Sequence, residues 1–310
     1  MIDELFDFPF YKWEEKLKNK PFLKQPFGDL WENYTWEQVG NMARKLSTGL
    51  KLMGLPEKSH IGLVSKNCRE WIIADLAISM SGHISVPFFP TLKSYEIEKL
   101  LDFGDVSALF VGKLENWEEM KQGVRDDMPI IAFPHYKDHS KISEGKQWYD
   151  FINEFDAQTE DFKPKLKDIW TIIFTSGTTG DPKGVVLTYE TLYNTKRITE
   201  DGNPLKVDFS GNNDFISYMP LNHIFERVVI EHSAFRFGGT ISFVESLETF
   251  GQNLNDVKPT AFQGVPRIYS KFQEKILMKM SQKKLSTLLK IPIISFILKK
   301  KLRGALGMSR

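Results

Sequence analysis

A chain of 310 residues with 41% apolar side chains is comfortable for two packed domains. Lys and Arg (41) nearly cancel Asp and Glu (40), so no overall field recommends nucleic acid as a partner. The opening MIDELFDFPF is acidic where a signal peptide is basic, and no apolar run approaches a membrane span, so the expectation is a soluble, cytoplasmic protein. The single cysteine, Cys68, excludes an internal disulfide and a cysteine cluster for zinc; it reads as a small buried residue at a strand-to-helix junction.

In chain order, the first clear element is a helix over 35–53. Thr35 and Gln38 form a capping box, Val39, Met42, Leu46, Leu50 and Met53 make an apolar stripe, and Gly54 ends it. The period then changes. HIGLV (60–64), ISVPF (84–88) and SALFV (107–111) read as strands, separated by helices over 68–82 and 94–104, and MPIIAF (128–133) continues the series. Such alternation predicts a mostly parallel sheet with right-handed crossovers. From 140 to 167 the chain turns charged and irregular around a helix near 148–155, which marks a subdomain junction. Alternation then resumes, with a helix from Tyr189, a strand at 215–219, a helix over 222–237 closed by Gly238 and Gly239, a strand at 240–244, a helix near 247–257 and a strand at 260–264. The last segment, 266–310, reads as helical and basic. The fold class is α/β, two units in tandem over 10–165 and 166–310.

Near the start of the second unit lies IIFTSGTTGDPKG (172–184), three glycines, four hydroxyls and a lysine behind an apolar run. A glycine-rich loop turns backbone N–H groups toward one point, and hydroxyls and a lysine added to such a nest favour a polyphosphate. The order is not that of a Walker A loop, since Lys183 is followed by Gly184 and then by Val185-Val186-Leu187, which reads as strand, loop, strand. The dinucleotide pattern is absent too, for no helix starts between Gly177 and Gly180. A ligand-free hairpin turn explains any three of these residues but does not need the whole string.

FTSGTTGDPKGVVLTYETLYN (174–194) resembles the phosphate-loop signature of the adenylate-forming, AMP-binding enzymes, the group that contains acyl-CoA synthetases, luciferases and the adenylation domains of peptide synthetases. YMPLNHIFERVV (218–229), PTAFQGVPRIYSKF (259–272) and REWIIADLAISMSGHISVPFFPTL (69–92) are similar to segments of long-chain fatty acyl-CoA synthetases. The resemblance implies two tandem α/β subdomains of the large N-terminal domain. It also implies a two-step ligase: a carboxylate attacks the α-phosphorus of ATP, pyrophosphate leaves, and the thiol of coenzyme A displaces AMP. Thr175, Ser176, Gly177, Thr178, Thr179 and Gly180 would then form the phosphate nest and Lys183 its mobile charge, with Thr175 the hydroxyl nearest Mg²⁺. His223 would line the junction of acyl group and nucleotide and, with Lys183, act in catalysis; the plainer account is a histidine that caps or packs its own helix. Gly264, Val265, Pro266 and Arg267 resemble the corner beside the acyl site, although Pro266 is explained by a first helical position alone. Gly264 would leave room for a ligand. Phe225, Glu226 and Arg227 read as a helix face with an internal ion pair and no chemistry.

The family's Tyr-Gly-x-Thr-Glu string, ribose-binding aspartate, hinge and small C-terminal domain are not found, so the sequence reads as the N-terminal portion of a longer ligase, not expected to catalyse the complete reaction by itself. An acyl-AMP ligase with another acid or acceptor, and a non-catalytic nucleotide-binding half domain, are the competing readings. Finally, KIPIISFILKKK (290–301) sets eight uncharged residues between basic ends. Such a stretch either lies peripherally on a membrane or packs its apolar side on the core, the second being the simpler reading.

Overall fold

The computed structural model describes residues 4–176, 182–200, 203, 206–305 and 307. A helix at Phe10–Lys16 precedes a hairpin of β1 (Pro21–Phe27) and β2 (Leu30–Thr35), turned at Gly28 with φ of +60°. β3 (His60–Val64), β4 (Ile84–Phe88), β5 (Val106–Val111) and β6 (Ile130–Ala132) then alternate with helices at Trp36–Leu52, Arg69–Ser81, Ser94–Phe103 and Trp117–Met120. A two-residue β7 (Lys146–Gln147) leads through the helix Trp148–Asn153 to β8 (Ile169–Ser176) and β9 (Pro182–Thr188), and β10 (Asp214–Ser217) and β11 (Thr240–Phe243) follow the helix Tyr189–Glu200.

These strands form two sheets. One has seven strands in the order β7-β6-β5-β3-β4-β8-β9, parallel except for the antiparallel β8–β9 pair; the other has the order β10-β11-β1-β2. Each sheet draws strands from both sides of residue 165. The mostly parallel α/β architecture is the one the alternation implies, and β3 and β4 are covered on both faces, which is why their sequences are continuous apolar runs.

The helix Arg69–Ser81 lies against β3 and β4 of the larger sheet and against β1 of the smaller. Its residues from Arg69 to Met80 are all buried, as expected of a helix enclosed on every side. Cys68 caps its start and is buried, and that burial pushes the thiol up to about 12, so it stays protonated. Gly82 ends it with φ of +81°. The neighbouring helix begins at the capping box read from the sequence: Thr35 Oγ1 accepts from Gln38 N–H at 3.2 Å, and Gln38 Oε1 from Thr35 N–H at 2.8 Å.

Two elements differ from the sequence reading. Residues 260–264 form no strand: Thr260 bonds Asp214 at the start of β10 (N–H to O, 2.8 Å), but the Gln263 carbonyl is taken by Tyr218 Oη at 2.7 Å, and Pro266 has no N–H to continue a ladder. The helix read over 222–237 starts at Ile224 and contains a π-helical turn, Arg227–Glu231, before α-helix resumes at His232–Phe237. The extra residue of that turn accompanies a buried charge.

Candidate active site

β8 and β9 carry the two ends of the phosphate-loop string. Pairing sets Thr175 opposite Lys183 and Ser176 opposite Pro182, so the hydroxyl and the ammonium stem stand on adjacent strands at the point where the loop leaves the sheet. Gly177, Thr178, Thr179 and Gly180 lie outside the described residues. Lys183 and Thr175 are exposed, and Lys183 has no ion-pair partner among the described residues. β9 is the sheet edge, with Val185 and Val186 also open to solvent. Beneath this corner is a cavity of about 510 Å³ lined by Phe88, Leu92, Tyr95, Phe174, Thr175 and Pro182 among others. Phe88 and Phe174 stack at 6.0 Å along one wall. The arrangement offers a polar, cationic rim over an apolar floor.

His223 caps the helix that begins at Ile224: its Nδ1 accepts from Phe225 N–H at 3.2 Å. It is exposed, and Nε2 has no partner among the described residues, so capping occupies one ring nitrogen and leaves the other for a ligand. The loop that delivers His223 is fixed by Asn67, whose Nδ2 donates to Ser217 Oγ (2.8 Å) and Met219 O (2.6 Å) while its Oδ1 accepts from Leu221 N–H (3.0 Å). Glu226 is fully buried and accepts from Tyr218 N–H at 2.9 Å.

Burial pushes the Glu226 carboxyl up from 4.5 to about 8. The folded chain therefore keeps a proton that the unfolded chain releases. The stability this contributes is complete below about 4.5 and is lost as the pH rises through about 8. Glu226→Gln, which is neutral throughout and keeps an acceptor for Tyr218, is expected to flatten the decline of the urea midpoint across that window. A slope identical to that of the parent protein would show that Glu226 is ionised in the fold.

Arg227 does not pair with Glu226. It is wholly buried, and its Nη2 reaches both oxygens of Asp75 at 2.6 and 2.7 Å, while Nη1 donates to Thr171 Oγ1 at 2.8 Å and Nε to Glu231 at 3.4 Å. The guanidinium stacks on Trp170, 4.1 Å from the ring centre. Asp75 also accepts from Ser85 Oγ at 2.5 Å, and Thr171 Oγ1 donates to the Ser85 carbonyl. Burial, reinforced by Asp75, holds the Glu231 carboxyl well above its usual range, which leaves one cation facing one anion. Through these bonds the helix that starts beside His223 is tied to β8, four residues before Thr175. The sequence gives no sign of this pair, because Asp75 and Arg227 are 152 residues apart.

Gly264, Val265, Pro266 and Arg267 lie next to the His223 segment, joined to it by the Tyr218–Gln263 bond and by stacking of Tyr218 on Phe262 at 5.9 Å. Val265, Pro266 and Arg267 are exposed, and Pro266 is the first residue of the helix Pro266–Leu277. A Cβ on Gly264 would come within 3.1 Å of the Tyr269 ring and 3.2 Å of the Phe262 ring, so close aromatic packing already explains a glycine there.

Among the described residues no three His, Cys, Asp or Glu side chains stand together as a metal site. The Thr175 hydroxyl fits only an ion that takes most of its ligands from phosphate oxygens and water, which is the habit of Mg²⁺.

Long chain acyl-CoA synthetases 5 and 4 of Arabidopsis thaliana are each 29% identical to the chain, over 259 and 290 residues, covering 80% and 84% of it but 39% and 42% of their own length. A long-chain-fatty-acid–CoA ligase of Xenopus laevis is 27% identical, covering 80% of this chain and 35% of that one. The chain thus spans about two fifths of the length of these relatives. Among solved structures, a benzoate CoA ligase from Burkholderia xenovorans superposes with a TM-score of 0.72 at 18% identity, covering 86% of this chain and 51% of that one. The anthranilate CoA ligase AuaEII, in complex with anthranoyl-AMP, gives 0.70 at 20%, covering 81% and 48%. The AMP-binding enzyme profile matches residues 10–301, and the chain belongs to the AMP-binding enzyme family.

Proposed function

We propose that the protein serves an ATP-dependent ligase that activates a long-chain fatty acid as acyl-AMP and passes the acyl group to coenzyme A. The observation that carries this reading is the cross-strand placement of Thr175 and Lys183 at the root of the glycine-rich loop, above an apolar cavity. Negative charge grows on departing pyrophosphate. An ammonium and hydroxyls fixed at the loop favour that charge more than they favour ground-state ATP. Magnesium would add charge neutralisation on the phosphates, with Thr175 beside it. Gly177, Thr178, Thr179, Gly180 and Ser176 belong to the nest in this proposal, and His223, through Nε2, contacts the carboxylate or adenylate. Gly264 to Arg267 form the adjoining edge of the acyl site. The long-chain preference is supported by the three relatives matched in sequence, which are synthetases or ligases of long-chain acids.

The test, run on the full-length enzyme, is pyrophosphate release across acids of roughly two to eighteen carbons, with and without coenzyme A. Highest turnover with long acids and product thioester only when coenzyme A is present is the expected result. Acyl-AMP that accumulates despite coenzyme A would favour a different acceptor. His223→Ala is expected to lower kcat/KM about tenfold or more on the preferred acid, the cost of one lost contact to a charged group. Parent kinetics across the panel would leave His223 as a helix cap only.

A further inference from the structure

β3 and β10 belong to different sheets, yet their carboxyl ends meet: Asn67, three residues beyond Val64 of β3, donates to Ser217, the last residue of β10. Carboxyl ends of parallel strands are where open α/β folds place their ligands. Asn67 spends its whole amide on this meeting. Nδ2 serves Ser217 Oγ and the Met219 carbonyl, and Oδ1 accepts from Leu221 N–H. Chemistry fixes which way the amide points, since the Met219 carbonyl only accepts and the Leu221 N–H only donates. Among the described residues, the other hydrogen bonds of 220–223 stay local: His223 N–H to the Pro220 carbonyl at 3.0 Å, Phe225 N–H to His223 Nδ1, and Arg227 N–H to the His223 carbonyl at 3.4 Å. Asn67 is thus the hydrogen-bonded tie between the turn that delivers His223 and the larger sheet.

What the turn hangs from is rigid. β3 is the middle strand of the seven, and the residue after Asn67 is the buried Cys68, which opens a helix buried from Arg69 to Met80. A second tie of the same kind lies elsewhere in the crevice. Lys113, two residues beyond β5 and 4% exposed, donates from Nζ to the carbonyl of Glu245, two residues beyond β11, at 2.9 Å. Both ties join the two sheets, but only that of Asn67 bears on the turn before His223.

We propose that Asn67 is a positioning residue for the ligase step: its hydrogen bonds hold the turn 217–221 so that His223 Nε2 stands at the reacting carboxylate or adenylate, and Asn67 itself touches no substrate. This rests on the ligase reading of His223. Misplacement of a contacting group by about 1 Å is enough to cost as much as removing it.

Asn67→Asp tests it. The aspartate keeps the size and the acceptor for Leu221 N–H, but sets a carboxylate oxygen against the Met219 carbonyl with no proton between them. In the full-length enzyme, kcat for pyrophosphate release should fall about tenfold, while the KM for ATP stays within about twofold, because Asn67 does not bond to β8 or β9. Asn67→Ala, which adds no charge, should do the same. Either change combined with His223→Ala should cost no more than His223→Ala alone, since a residue that acts through another is silent once the other is gone. Lys113→Met, which cuts the other tie, should lower the urea midpoint and leave kcat as in the parent.

A second readout needs no turnover. The ring resonance of His223, assigned by its loss in His223→Ala, should move in Asn67→Asp and Asn67→Ala and stay in place in Lys113→Met. Parent kcat in both Asn67 variants, losses that add to that of His223→Ala, an equal fall in Lys113→Met, or an unmoved His223 resonance would each overturn the proposal. A parent enzyme that releases no pyrophosphate with any acid is a different failure, that of the ligase reading, and the resonance separates the two.

Discussion

Arg227→Ala is expected to lower the free energy of unfolding by about 3–5 kcal/mol, the cost of leaving a buried anion without its partner. Asp75 is 2% exposed, and when the guanidinium is gone it keeps only neutral partners, the Ser85 hydroxyl and the protonated Glu231 carboxyl. Thr171 loses its donor and Trp170 its stacked cation at the same time. Lysine does not replace this arginine: one ammonium cannot reach both Asp75 oxygens and Thr171 while lying flat on an indole. The double variant Arg227→Ala with Asp75→Ala should cost less than the two single changes added together, because it removes the charge that the single change strands. Urea unfolding followed by tryptophan fluorescence reads both. A loss below about 1 kcal/mol for Arg227→Ala would show that water enters and solvates Asp75.

That expectation depends on a feature invisible in the sequence, and the reason is separation. Signals carried within a few residues were legible: the Thr35–Gln38 capping box, Gly82 at the end of the buried helix, the strand runs at 60–64 and 84–88, the strand-loop-strand order around Lys183. The hairpin of β1 and β2 was not read, because Pro21, Pro26 and Gly28 argue locally against strands. It forms because β11 pairs with β1 only at Leu23 and Lys24, between the two prolines, while Gly28 supplies the turn. Residues 260–264 erred in the opposite direction. Their composition suits a strand, but a single tyrosine hydroxyl takes the carbonyl that a ladder would need. At the site, the sequence alone pointed to Thr175, Lys183 and His223, since glycine and hydroxyl patterning is local. It could not point to Asn67, which holds the His223 loop from more than 150 residues away, or to Arg227, which looked like half of a surface ion pair.

The same separation of local from distant contacts makes Lys183 a clean probe. In the full-length enzyme Lys183→Ala is expected to slow pyrophosphate release about 10²- to 10³-fold, the usual loss when one preorganised group is removed from a developing charge. The fold should tolerate the change. Lys183 is exposed on an edge strand and holds no ion pair among the described residues, so its removal should change the free energy of unfolding by no more than about 0.5 kcal/mol. If the ammonium acts on the leaving group, kcat falls more than the KM for ATP rises, because charge is greater in the transition state than in bound ATP. Binding of inorganic pyrophosphate, measured by calorimetry, gives a readout that needs no turnover and should weaken as well. Lys183→Arg should restore part of the pyrophosphate affinity but less of the rate, since a rigid fork holds charge without the reach of a flexible stem. Unchanged release and unchanged pyrophosphate affinity in Lys183→Ala would remove this residue from the phosphate site and return β9 to the role of a plain sheet edge.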